Sequence, residues 1–299
     1  MSERSIKDIL VDDGLRGVIR GMPQGAYRGG KRMNASSLKP GLLGPFEIDP
    51  SAIKAAYEGT RSEPSATLQA SFDKGTLTHV LMLEPEKIVD KIAVWKGSRR
   101  AGKEWDEFEK ENSGKLIMRE ADVREVQLAV RELRRVPQVA ALLNRKHDTE
   151  LPVLGKVSRT YCKGLLDCVT NDAGPVTQID LKTTGHGIDE SSVLRAVRNF
   201  GYREQLAWYS NLYEQATGKP IEANYLIFVS LDQIGVRIVK LTTSAIQWGM
   251  SRMLAAVEAV EKCIDADEWP VFVGDSIADV AQWELGESVE ITFDGEAME

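Results

Sequence analysis

The chain has only three cysteines, Cys162, Cys168 and Cys263, an odd number with no CxxC pair. That excludes a disulfide framework and a zinc-ribbon site and leaves three small hydrophobic or free thiols. No run of about 18 apolar residues occurs, so no transmembrane helix is expected. The first ten residues, MSERSIKDIL, lack the apolar core of a signal peptide, so the protein is expected to stay in the cytoplasm where it is made. Basic residues are missing after Lys262, while eleven acidic residues follow it. With −11 in that tail, the −7 of the whole chain leaves residues 1–262 at +4. A mildly basic body with an acidic end is compatible with phosphate binding, which the net charge alone would argue against.

What is present is ordinary for a folded chain: 299 residues, 42% hydrophobic and 28% charged, enough for a real core. Residues 1–45 are rich in Gly and basic residues (Arg16, Arg20, Arg28, Gly29, Gly30, Lys31, Arg32) and read as a partly flexible arm or a covering segment, punctuated by GLLGP at 41–45. Residues 46–285 read as the main domain and 286–299 as an acidic tail. Within the domain, residues 50–145 read mainly as helices. One opens at Pro50-Ser51, one spans Ser65–Leu83 with Gly75 interrupting it, and the clearest covers 119–135 with Val123, Val126, Val130 and Leu133 on one stripe. Val136-Pro137 ends that stripe. From 151 to 182 the period changes: LPVLGKV, YCKGLLDCVT and PVTQIDLK read as a three-stranded meander, with NDAG at 171–174 as the second turn. Two helices (188–199 and 202–217), a hairpin (ANYLIFVSL, GVRIVKL) and a long helix at about 242–264 follow. This order predicts an α/β or α+β layer fold around a mixed sheet.

In the strand QIDLK, a period of two puts Asp180 and Lys182 on one face with Gln178 and turns Ile179 and Leu181 to the other. Alone, such a pair is an ordinary surface ion pair. Asp167 adds to it: it lies in the apolar run GLLDCV, where a carboxylate is costly unless paired or metal-bound. The NDAG turn makes the two strands neighbours, so Asp167 and Asp180 could meet and share a cation such as magnesium; two unrelated aspartates also fit this spacing. Glu150, just before the first strand, could add a third carboxylate or belong to a plain polar turn, HDTE. His79 sits in an apolar helical segment, where a hydrogen-bonded core histidine is the commoner role. Tyr202 and Gln205, at i and i+3, share a helix face, with Gln205 the odd residue among aromatics. Trp95, Arg99, Arg100 and Lys103 in WKGSRRAGKEW combine cations for phosphates with an aromatic for bases, or else form a solvated loop with tryptophan anchors.

In order along the chain, GTLTH (75–79), GLLD (164–167), IDLKTT (179–184) and YREQ (202–205) resemble the nuclease module of RecE, exodeoxyribonuclease VIII, and more broadly the RecB-like branch of the PD-(D/E)xK superfamily. The segments RAGKEWDEFEKENSGKLIM and KCIDADEWPVF add to the likeness, which covers about residues 35–285. The resemblance implies a restriction-endonuclease-like core, with His79, Asp167, Asp180 and the Leu181 carbonyl as metal ligands and Lys182 as catalytic lysine. It also implies catalytic-site roles for Glu150, Tyr202 and Gln205. It further implies a Mg²⁺-dependent (or Mn²⁺-dependent) phage- or prophage-type exonuclease on duplex DNA ends, digesting 5′ to 3′ for recombination. A ring-shaped homo-oligomer and a single-strand annealing protein as partner belong to the same expectation. A structure-specific endonuclease or nickase on the same site, or a silent DNA-binding or assembly module, are the alternatives. The iron–sulphur nuclease branch, which uses four cysteines, is disfavoured.

Overall fold

The computed structural model describes residues 5–22, 24–43, 47–59, 65–185 and 187–273; the acidic tail and His186 lie outside them. The elements used below are, in chain order, β1 (Gly17–Val18), α1 (Pro50–Glu58), α2 (Ala66–Leu83), β2 (Ile92–Trp95), α3 (Lys103–Glu111), β3 (Leu116–Arg119), α4 (Glu120–Leu133) and α5 (Pro137–Leu143). Then follow β4 (His147–Val157), β5 (Thr160–Thr170), β6 (Thr177–Thr183), α6 (Glu190–Asn199), α7 (Tyr202–Thr217), β7 (Ala223–Ser230), β8 (Gly235–Leu241) and α8 (Thr243–Ala266).

Local chemistry sets many of these boundaries. Asp49, Ser65, Asp189 and Thr242 cap α1, α2, α6 and α8 through side-chain oxygens that accept a backbone N–H of the first turn. Proline opens α1 and α5 at the position where a missing N–H costs nothing. Gly218, at φ +70°, closes α7. Gly75 does not interrupt α2 as the sequence suggested. A Cβ there would come within 3.1 Å of Thr183 Oγ1, so the glycine lets the unbroken helix run close to the end of β6.

The six-stranded sheet has the order β1-β4-β5-β6-β7-β8. All its pairs are antiparallel except β6/β7, which are parallel and joined through α6 and α7. This is the mixed sheet flanked by helices that the sequence predicted, with the β4-β5-β6 meander in place. A small parallel pair, β2/β3, stands apart. One face of the sheet is covered by α1, α7 and α8, whose Ile53, Trp208, Met253 and Val257 pack with Val153 and Leu166. The other is covered by α2, α4 and α5 and meets Ile179, Leu181, Ile227 and Val229 of the central strands. The stretch read as an arm or covering segment contributes to the first layer: Ile6, Ile9, Met33 and Leu38 are fully buried there, and β1 extends the main sheet.

α7 and α8 cross in intimate contact at Gly249, where a Cβ would come 2.6 Å from the Arg203 carbonyl oxygen. Backbone cannot yield as a flexible side chain does. Gly249→Ala is therefore expected to lower stability by about 1–3 kcal/mol, read as a lower midpoint in urea at unchanged slope. An unchanged midpoint would show that the two helices can separate freely.

Candidate active site

The site is built on the meander. The β4/β5 register, continued through Thr149↔Cys168 and Leu151↔Leu166, places Glu150 opposite Asp167. The β5/β6 register, carried one step past Cys168↔Ile179, places Asp167 opposite Asp180. Three carboxylates thus fall at successive register positions on three adjacent strands, where the regular pairing is interrupted at Glu150 and beyond Cys168↔Ile179. β5 and β6 pair only at Cys168↔Ile179 and Val169↔Gln178, then diverge. In the fork the Asp167 carboxylate replaces the missing ladder partner, accepting the Leu181 N–H at 3.0 Å.

Glu150 does not precede the first strand, as the sequence suggested, but lies inside it, because β4 begins at His147. It adopts φ +47°, a left-handed conformation rare for a residue with a Cβ. Such a conformation costs on the order of 1–3 kcal/mol and persists where the surroundings impose it.

His79 reaches in from α2. Its Nε2 lies 2.9 Å from the Leu181 carbonyl oxygen. A carbonyl can only accept, so Nε2 carries the hydrogen, and in the neutral ring Nδ1 keeps its lone pair. Nδ1 stands 3.7 Å from Asp167 Oδ2. The Leu181 peptide is therefore held at both ends, its N–H by Asp167 and its C=O by His79; the carbonyl retains a second lone pair.

Ligand atoms of His79, Glu150 and Asp167 all lie within 4.8 Å of one another. Burial, reinforced by the Asp180 charge, pushes the Asp167 carboxyl up to about 7, against the attraction of His79 and Lys182. Burial also raises Glu150, with His79 opposing. Two carboxyls that resist ionisation side by side, with a free imidazole nitrogen beside them, are the donor set of a hard divalent cation. His79, Glu150 and Asp167 are the residues that would hold it.

Asp180 is 1% exposed. Its Oδ1 accepts from Gln205 Nε2 at 3.0 Å. Its Oδ2 lies 2.5 Å from the Lys182 Nζ, a close buried ion pair. Gln178, Asp180 and Lys182 share one face and Ile179 and Leu181 the other, as the alternation predicted. Burial would lower Lys182, but the charges of Asp180 and Asp167 outweigh it and its pKa is raised.

Two residues complete this corner. The Tyr202 ring carries the Lys182 ammonium 4.8 Å from its centroid and the Lys39 ammonium at 5.2 Å. Lys39 also donates to Gln205 Oε1 at 2.6 Å, so Gln205 links Lys39 to Asp180. Burial, then repulsion from Lys182, lowers Lys39 to about 8. Sequence reasoning missed Lys39. It lies far upstream in LKPG, and nothing local marks it as facing the site; a Gln on an apolar helix face was the one indirect signal that a polar partner had to exist.

The remaining sequence candidates lie at the end of β2, in the loop before α3 and at the start of α3. Trp95 packs edge-on against Trp105 at 5.3 Å and against Phe108 at 5.1 Å, and its Nε1 donates to the Arg99 carbonyl. Arg100 stacks over Trp105 and donates to the Ile117 carbonyl. The tryptophans thus anchor the loop to one another, while Arg99 and Lys103 project into solvent.

A six-stranded mixed sheet carrying acidic residues and a lysine on its central strands places the molecule in the PD-(D/E)xK nuclease superfamily. Within it, residues 42–277 match the PDDEXK-like domain of unknown function (DUF3799), and the chain belongs to that family. No curated protein matches it significantly. Among solved structures, a provisionally assigned exonuclease from Eubacterium rectale aligns over 92% of this chain and all of its own, at 13% identity and a TM-score of 0.56. That likeness is one of fold. SSO0001 aligns over 63% of this chain and 86% of its own, at 16% identity, but its TM-score of 0.25 is too low to support a comparison.

The raised Asp167 pKa has a measurable consequence for the metal-free protein. With the folded value at about 7 and the ordinary one at 3.8, folding binds a proton between them. The contribution of Asp167 to stability is fully present below the ordinary value and is lost as pH rises through about 7. In EDTA the melting temperature is expected to fall between about pH 4 and pH 7, the window this shift spans, and Asp167→Asn is expected to flatten the fall. An equal fall in the variant would show that Asp167 is not held protonated.

Proposed function

We propose that this protein is a divalent-metal-dependent DNA nuclease that hydrolyses phosphodiester bonds at duplex ends. The observation that carries the reading is the row Glu150–Asp167–Asp180, closed by His79 and flanked by Lys182 two positions after Asp180. When bound, a divalent cation supplies electrophilic polarisation of the phosphodiester and eases ionisation of the attacking water. His79, Glu150 and Asp167 hold that cation, with Asp180 and the Leu181 carbonyl as the further ligands of the proposed set. Mg²⁺ is the proposed ion, with Mn²⁺ able to take its place.

The protein's own groups do the rest. Lys182, held as an ammonium by Asp180 and Asp167, neutralises charge growing on the phosphoryl oxygens and orients the water. It is a poor proton acceptor in this setting, so its part is electrostatic rather than basic. Tyr202 fixes its position from one side. Gln205 holds Asp180 in the rotamer that faces the fork.

The finer reading is an exonuclease digesting 5′ to 3′ in the cytoplasm, working as a ring-shaped oligomer beside a single-strand annealing protein in recombination. The loop with Arg99, Arg100 and Lys103 would touch the DNA backbone. No helix among the described residues is long and apolar enough to cross a membrane.

Linear duplex DNA labelled at the 5′ or the 3′ end, incubated with Mg²⁺, Mn²⁺ or EDTA, tests the reading. Metal-dependent loss of ends is expected, abolished by Asp180→Asn, and the order of label release gives polarity. Lys182→Gln is expected to lower kcat by about 10²–10³-fold, the usual loss on removing one transition-state donor. Cleavage of closed circular duplex would replace the exonuclease with an endonuclease or nickase. Failure to cleave linear, circular or single-stranded DNA with either metal would leave a silent binding member of the fold.

A further inference from the structure

On the far side of Lys39 from Asp180 lies a cavity of about 710 Å³, open to solvent, between the start of α7 and the middle of α8. Its charges do not balance. Lys39, Arg198, Arg203 and Arg252 line it against a single carboxylate, Glu204. The two inner guanidiniums share one indole: Arg203 lies 4.1 Å and Arg252 5.3 Å from the Trp248 ring centroid. Arg252 is 6% exposed and Glu204 4%, and their nearest charged atoms are 3.7 Å apart. The Arg203 Nε is buried with no hydrogen-bond partner among the described residues. Holding two guanidiniums together in a partly desolvated wall is unfavourable unless an anion joins them. Glu204 is paired with Arg252, and among the described residues lining the cavity no second carboxylate answers Arg198 or Arg203. At the rim Phe200 stands 53% exposed, an aromatic face directly beside the cations.

Cations that accept phosphate next to an exposed ring that accepts a base are the two halves of a single-stranded nucleic-acid subsite. The connection to the reacting centre is short, because Lys39 both lines the cavity and bonds Gln205, which bonds Asp180. We propose that this cavity binds an unpaired nucleotide flanking the cleaved bond, its phosphate on Arg198, Arg203, Arg252 and Lys39 and its base on Phe200. The inference rests on the nuclease reading for the position of the nucleotide along the strand, but not for the binding itself.

The test therefore measures binding without cleavage. Fluorescence anisotropy of a short labelled oligothymidylate is followed with the full chain in EDTA across a salt series. Arg198→Gln/Arg203→Gln is expected to weaken binding at least tenfold and to reduce the salt slope by about 0.7 for each phosphate no longer neutralised. Phe200→Ala is expected to weaken it about tenfold with the slope unchanged, as for removal of a stacking surface. Arg198 and Phe200 are exposed and Arg203 is half-buried, and far-ultraviolet circular dichroism checks that the variants fold. Arg131→Gln, an exposed α4 cation paired with Glu132, serves as the control for simple loss of charge.

Losses no larger than in the control would overturn the subsite, even if the chain cleaves DNA. A loss with the arginine pair but none with Phe200→Ala would overturn the nucleotide in favour of a bare phosphate. The expected losses in a chain that cleaves no DNA would uphold the subsite and defeat the nuclease reading instead.

Discussion

The structure turns on mutual repulsion among carboxylates that the sheet register forces together. Glu150, Asp167 and Asp180 fall at successive register positions on three consecutive strands, close enough for the Asp180 and Glu150 charges to bear on Asp167. Water screens such a row poorly when it is buried, and the metal-free protein responds by holding protons: Asp167 titrates at about 7. Much of what surrounds the row is compensation. The Leu181 N–H and the Lys182 ammonium each bring a donor or positive charge to an oxygen of the row. The left-handed Glu150 is the cost in backbone geometry of placing a third acid there. A divalent cation would relieve the repulsion, and that is the physical reason for reading the row as a metal centre rather than as an ion-pair network.

The lysine side of the site obeys a different logic. Lys182 and Lys39 both approach the Tyr202 ring, and each is steadied by an acceptor on the Asp180 side, directly for Lys182 and through Gln205 for Lys39. Proximity to the acids divides them. Lys182 sits against two carboxylates and is raised, while Lys39 feels burial and the other ammonium first and is lowered to about 8. Two lysines of one type therefore differ in protonation behaviour because of a displacement along the same ring.

Much of this was legible in the residues. The alternation in QIDLK was enough to put Asp180 and Lys182 on one face, because strand period is a local property; the turn NDAG made Asp167 a candidate neighbour but left two unrelated aspartates equally open, until the resemblance to a nuclease motif joined them. The helix stripe of Val123, Val126, Val130 and Leu133 was equally readable. His79 was not, on its own: its segment reads as core, and only the resemblance of GTLTH to a nuclease motif assigned it, since the contact with Leu181 spans the fold. Glu150 was misplaced because its strand starts earlier than apolar content suggests, and no residue type announces a left-handed φ there. Lys39 was invisible for a stronger reason. Its role exists only once a segment read as an arm or covering segment is folded against α7, a contact set by tertiary packing of Leu38 and its neighbours.

α7 ties the two halves of the molecule together. With about 3.6 residues per turn, Tyr202, Gln205 and Tyr209 fall on one side of the helix and Arg203 on another. The first set faces the acids and lysines; Arg203 faces the cavity with Trp248. Gly249 brings α8 against the Arg203 backbone, so the start of α7 has little freedom to rotate. A shift that carried Arg203 deeper into the cavity would also turn Gln205 away from Asp180 and loosen its hold on Lys39. The wall of the cavity and the hold on Asp180 thus share one helical turn, and a group engaged by Arg203 would fix the same turn from which Gln205 bonds Asp180.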